Sequence, residues 1–114
     1  MQIEVKGRNW VVTEDLRRRV EKRFDKVSRQ VSPLARLEIE LREERNPANP
    51  DSHVAEATLY LKGVTLRAHE ASPEMLHSIH EIAEDIRRHV KRHREKRRGR
   101  ASARRAVGRL HRTA

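Results

Sequence analysis

Apolar residues recur in this chain with a period of two in four short stretches and of three to four in two longer ones, and the pattern stops at Val90. The first period marks half-buried strands and the second helices with one buried face. Ile3 and Val5 alternate with Gln2, Glu4 and Lys6, a strand that ends at Gly7-Arg8-Asn9. Thr13 is a candidate N-cap ahead of Glu14 and Asp15, acids that the helix dipole favours in a first turn. Leu16, Val20, Phe24, Val27 and Val31 then mark one face of a helix stopped by Ser32-Pro33. Leu37, Ile39 and Leu41 make a second strand, and the loop from Asn46 to Ser52 carries Pro47 and Pro50. Ala55, Ala57, Leu59 and Leu61 make a third strand, Lys62-Gly63 a two-residue turn, and Val64, Leu66 and Ala68 a fourth. Ser72-Pro73-Glu74 reads as a helix start, with a capping serine and proline at the first position, and Met75, Ile79, Ile82, Ala83, Ile86 and Val90 form the stripe that follows.

The predicted fold is therefore α+β in the order β-α-β-β-β-α: one four-stranded, mostly antiparallel sheet with two helices on one face. The other face, with Glu4, Glu38, Glu40, Glu56, Thr58 and Tyr60, is expected to be wet and acidic and so to repel nucleic acid. After Val90 the stripe ends but helix-forming residues continue to Arg98, so the second helix is expected to overshoot the sheet and stop at Gly99. Residues 1–98 read as the folded domain and residues 99–114 as a basic tail, expected to be disordered.

Charge divides the chain differently. Residues 87–114 hold 13 Lys/Arg against one acid, Glu95, a net +12; with +10 for the whole chain, residues 1–86 sit at −2. A cationic block on a nearly balanced body points to a polyanionic partner. On the first helix, 100° per residue puts Arg18, Arg19, Lys22, Arg23, Lys26 and Arg29 on one flank and the outer surface, and Glu21 and Asp25 on the other flank. On the second, Glu81, Glu84 and Asp85 precede a run from Arg87 to Arg98. Signs sorted in this way argue for a binding face over simple solvation, and helices sharing one sheet face would merge two basic surfaces into a groove or ridge. Arginine predominates there, which suits bidentate contacts to phosphate.

Composition excludes several alternatives. There is no cysteine, hence no disulfide or thiolate metal site, and no apolar run approaches the ~20 residues of a membrane span, so a cytoplasmic protein is expected. Trp10, Phe24 and Tyr60 are the only aromatic residues, too few for a base-stacking platform, so phosphate contacts and shape should supply the grip. The serines show no nucleophile motif, and neither an enzymatic activity nor a cofactor is expected. The His77–His80 and His89–His93 pairs lack a third ligand and read as surface histidines, so no metal is expected. Gly7-Arg8-Asn9 reads as a strand-to-helix connection, not a phosphate cradle, with Arg8 free to touch RNA. The acidic start of the second helix lacks the basic cluster that double-stranded RNA-binding domains use.

The opening residues, Met1-Gln2-Ile3 through Gly7-Arg8-Asn9, Val12-Thr13-Glu14, Leu16 and Val20-Glu21-Lys22, resemble the start of the ribosome hibernation-promoting factor and protein Y family. Leu61-Lys62-Gly63-Val64 and Arg67-Ala68-His69-Glu70 are similar to its third and fourth strands, and Met75, Ile79, Arg88 and Lys91-Arg92-His93 to its second helix, so the resemblance spans residues 1–96. It departs at Leu76 and His80, where the family usually has tyrosine and aspartate, and at Asp85, where it has lysine. The resemblance is to the short form, without the second domain by which long members pair ribosomes. It implies a factor that binds the small ribosomal subunit and the whole ribosome through 16S-type rRNA, and stalls translation by occupying the decoding region. It also implies that Lys22, Arg23 and Lys26, together with Arg88, Lys91, Arg92, His93 and Arg94, face the rRNA. Neither a membrane nor a small-molecule substrate enters this reading. Two other readings stand beside it: nonspecific nucleic-acid binding through the tail, and a protein-interaction regulator of transcription, after the family's older name as sigma-factor modulation proteins.

Overall fold

A computed structural model describes the backbone of residues 1–112 and the side chains of residues 1–100. The elements are β1 (Gln2–Arg8), α1 (Glu14–Arg23), α2 (Asp25–Gln30), β2 (Arg36–Glu43), β3 (His53–Leu61), β4 (Val64–Ser72) and α3 (Met75–Arg112). The strands lie side by side in chain order; β1 and β2 are parallel, and the other two pairings are antiparallel. A parallel neighbour requires a crossover, and α1 and α2 supply it. Gly63, at φ 79°, closes the hairpin between Leu61 and Val64, as the Lys62-Gly63 turn requires.

Strand alternation builds the floor of the core from Val5, Leu37, Ile39, Leu41, Ala55, Ala57 and Leu59. Val20, Phe24 and Val27 descend on it from α1 and α2, and Ile79, Ile82, Ile86 and Val90 from α3. α3 lies across β3 and β4, where the small side chains of Ala55, Ala57 and Ala68 leave room for its isoleucines. At the exit of β1, a Cβ on Gly7 would lie 1.9 Å from the Trp10 carbonyl oxygen, and Asn9 takes φ 55°. Gly7-Arg8-Asn9 is thus a tight strand-to-helix connection that admits no side chain at its first position.

Four details depart from the sequence reading. The first helix is two: Phe24, at φ −95° and ψ 10°, ends α1 and precedes α2, although the apolar stripe runs through it unbroken. Side-chain spacing does not report one residue's ψ, so the stripe is silent about the break. The second difference is at the start of α3, which begins at Met75 because Ser72 is the last residue of β4. The Ser72 hydroxyl donates to the Glu74 carbonyl at 2.6 Å and lies 2.6 Å from Ser78 Oγ, which donates to the His53 carbonyl at 2.7 Å. The Ser72 hydroxyl also accepts the Glu74 N–H at 3.3 Å, so the serine serves the helix start as expected while tying strand to helix.

Third, α3 runs to Arg112, past Gly99. One glycine costs a helix only about 1 kcal/mol relative to alanine, and Ala101, Ala103, Ala106 and the neighbouring arginines are good helix formers. The expected disorder of residues 99–114 otherwise falls largely on residues whose side chains lie outside those described. Fourth, the open sheet face is charge-paired instead of acidic. Arg42 lies 2.8 Å from Glu56, 3.0 Å from Glu44 and 3.6 Å from Glu40. Lys6 pairs with Glu4 and Arg36 with Glu38, each at 3.6 Å. The hydrogen bond to Glu56, then that to Glu44, holds the Arg42 pKa above its ordinary value against partial burial. Cations two residues along the same strand, and Arg42 diagonally across from Glu56, cancel the acidity that a reading of the glutamates alone implies.

Candidate nucleic-acid interface

α1 and α2 on one side and α3 on the other meet over the sheet, with a groove of about 750 Å³ between them. Arg19, Lys22, Arg23, Lys26 and Arg29 line one wall, and Leu76, His80 and Glu84 of α3 line the other. Ion pairing sorts these cations further. Arg19 is held by Asp15 at 3.0 Å and Arg29 by Asp25 at 2.7 Å, both four residues away on the same helix. Lys22, Arg23 and Lys26 are exposed and, among the described residues, have no carboxylate partner. Three neighbouring positive charges with unmet hydrogen-bonding capacity face solvent on a wall fixed from beneath by Val20, Phe24 and Val27, which are at most 1% exposed. Such a surface accepts phosphate oxygens without first breaking an internal bond.

The α3 residues expected to accompany them are distributed. Lys91 and Arg92 are exposed on the portion of the helix beyond the sheet. His93 and Arg94 line a second pocket, farther along the same side of α3. Arg88 is ion-paired to Asp85 on its own helix, so part of its charge is already met. Arg8 is not brought to the groove at all. Its register next to Arg42 places it on the open face, the side of the sheet opposite the helices. Sequence reasoning missed the groove's α3 wall, His80 above all, because that wall exists only once two helices distant in sequence pack together.

Glu70, on the helix-facing side of β4, meets Asp85, Glu81 and Arg88 of α3. A hydrogen bond shared with Asp85, then partial burial, then the charges of Asp85 and Glu81 push its pKa up to about 7, with Arg88 opposing. The folded chain thus keeps the Glu70 proton up to about pH 7, whereas the unfolded chain releases it near 4.5. In that window the native state binds more protons, so stability should fall as pH rises through it and level off above it. Solvent screening at this half-exposed position holds the effect to roughly 1 kcal/mol. Thermal melts across the window should show Glu70→Gln with a flatter pH profile than wild type and a higher melting temperature above pH 7; parallel profiles would refute the assignment.

The helices offer no other chemistry at this site. Among the described residues no group of three or more His, Asp or Glu side chains gathers as a metal site, and no helix is long and apolar enough to cross a membrane.

Comparison with known proteins places the architecture. Residues 3–98 match the family described as sigma 54 modulation protein / S30EA ribosomal protein. The chain is 30% identical over 97 residues to a ribosome hibernation promotion factor of Picosynechococcus sp., covering 84% of this chain and 50% of that protein. It is 22% identical over 100 residues to a ribosome hibernation promoting factor of Acinetobacter guillouiae, covering 83% and 88% respectively. The chain therefore spans half the length of the first relative and most of the second. Its fold matches the crystal structure of the Thermus thermophilus protein Y N-terminal domain with a TM-score of 0.68 at 24% identity, over 81% of this chain and 98% of that one. A ribosomal subunit interface protein from Coxiella burnetii matches with the same TM-score at 17% identity, over 83% and 99%.

Proposed function

The chain belongs to the sigma 54 modulation protein / S30EA ribosomal protein family, and from that premise we propose that it is a ribosome hibernation factor acting on the small ribosomal subunit. In this reading it occupies the decoding region, in contact with 16S-type rRNA, where messenger and transfer RNA would otherwise sit. It does so in the cytoplasm, on small subunits or whole ribosomes, and without chemistry of its own.

The observation that carries this reading is the row of unpaired Lys22, Arg23 and Lys26 on the groove wall. The cations that neighbouring acids neutralise, Arg19 and Arg29, flank them. The row is rigidly seated, so its charges are pre-organised for a phosphate backbone of fixed shape, and a wedge held in this way excludes other RNA sterically. Lys91 and Arg94, farther along α3 on the groove side, extend the same positive surface. The charge-paired sheet face supports the opposite role, a surface turned away from RNA.

Sucrose-gradient sedimentation with purified ribosomes tests the proposal. Binding at about one copy per small subunit, displaced by transfer RNA and persisting at moderate salt, is the expected result. Binding in many copies, washed off by salt and indifferent to transfer RNA, would reduce the protein to a nonspecific cationic binder working through residues 99–114.

A further inference from the structure

A second pocket, of about 530 Å³, lies at the open end of the sheet, where α2 ends and α3 passes beyond the last strands. Its volume falls within the range of about 300–1,000 Å³ that small ligands occupy. Val31, Leu61 and Val90 form an apolar floor, and Leu34, 94% exposed, stands at the rim as the most exposed large apolar side chain described. Around that floor lie Lys62, His93, Arg94 and Arg97, and among the described residues no carboxylate lines it. The groove between α1–α2 and α3, by contrast, includes Asp25 and Glu84.

We infer that this pocket accepts an unpaired nucleotide of an RNA strand, its base on the apolar floor and its flanking phosphates on Lys62, Arg94 and Arg97. The inference rests on the reading of RNA as the partner and gives the α3 overhang a role beyond charge. An apolar seat ringed by cations and neutral polar groups, with no carboxylate among the described residues, matches a group that is flat and apolar at its centre and anionic at its edges. A base with its two phosphates has that form, and the half-buried His93 ring can lie against the base face. Continuity favours RNA over an acidic peptide. The groove ends with Arg29 on α2 and Glu84 on α3, and the pocket begins at Gln30 and Val90. The two sites follow one another on the same side of α3, with centres about 20 Å apart at the helical rise. A strand gripped by Lys22, Arg23 and Lys26 therefore reaches the pocket within a few nucleotides. Tyr60 also lines the pocket, with the Arg36 guanidinium 4.6 Å from its ring centroid, and a single seat of this kind holds one base and does not stack a run.

The test measures affinity of the full chain for a short single-stranded RNA and for the same strand with its bases removed. The intact strand should bind roughly five- to tenfold more tightly. Leu34→Asp, at a position too exposed to disturb the fold, should erase that difference, and its unchanged melting temperature would show that the fold is intact. Arg97→Glu should weaken both strands alike. Equal affinity for intact and abasic strands would overturn the inference, as would tighter binding of a leucine-bearing acidic peptide that competes with the strand. Sedimentation of the same preparations with ribosomes separates the two failures: wild-type ribosome binding without base preference sinks only the pocket, and no ribosome binding sinks the proposed function.

Discussion

Reversing Lys22, Arg23 and Lys26 to glutamate together is expected to lower ribosome affinity on the order of a hundred- to a thousandfold, with the melting temperature nearly unchanged. A hydrogen bond to a charged group contributes about 1.5 kcal/mol at the low end of its range, so three lost contacts remove up to ~4.5 kcal/mol, and tenfold in affinity is ~1.4 kcal/mol. The fold should tolerate the change because all three side chains are exposed and none is engaged in an internal ion pair among the described residues. Salt dependence provides a second readout. Each phosphate contact contributes about 0.7–0.9 to the slope of log affinity against log salt, so the triple variant should show a slope shallower by roughly two to three. A control triple reversal of Arg17, Arg19 and Arg29, which already pair with Glu14, Asp15 and Asp25, should do less. If instead the folded-face variant binds normally and loss of residues 99–114 abolishes binding, affinity resides in the tail and the wedge is wrong.

That contrast shows how much the sequence reveals and where it stops. Every strand was legible because alternation reports which side of a sheet a residue takes. The sorting of charge on the first helix was equally visible, and so, in principle, was its refinement. Asp15 stands four residues before Arg19 and Asp25 four before Arg29, and Asp85 three before Arg88, spacings that pair side chains on one helix face. Counting cations without these partners makes Arg88 look as free as Lys91. The open sheet face misled in the same way, since Glu56 looks unpaired until register sets Arg42 diagonally across from it on the neighbouring strand. Arg8 joins the RNA-facing candidates on chemistry alone, and the register of β1 places it on the open sheet face, apart from the groove. The pocket beyond the sheet left no periodic signal. Leu34 sits in a loop after Ser32-Pro33, and nothing local says that Val90 and Arg97 lie across from it. Only the parallel crossover, which returns the chain to the start of β2 beneath α3, brings those residues together.

The break between α1 and α2 at Phe24 is where fold and site depend on the same side chain. Its ring is fully buried, and its backbone ends α1 and leads into α2, so Arg23 and Lys26, on either side of it, are oriented by how that ring seats. Phe24→Ala should cost about 3–5 kcal/mol, transfer and cavity terms together. For a small domain, whose total stability is on the order of 5–15 kcal/mol, that removes a large fraction. With a shift of roughly 4–8 °C per kcal/mol for a domain of this size, the melting temperature should drop by at least about 12 °C. Phe24→Leu keeps most of the apolar volume and should lose well under half as much. The two variants separate packing from orientation. In the cold, where both remain folded by circular dichroism, Phe24→Ala should still bind ribosomes more weakly than Phe24→Leu, because the emptied site lets the α1–α2 junction move and scatters the three cations. Equal affinity in the cold would mean that the ring holds the fold together without aiming Arg23 and Lys26, and the pre-organised row of charges would then have to be abandoned as the source of affinity.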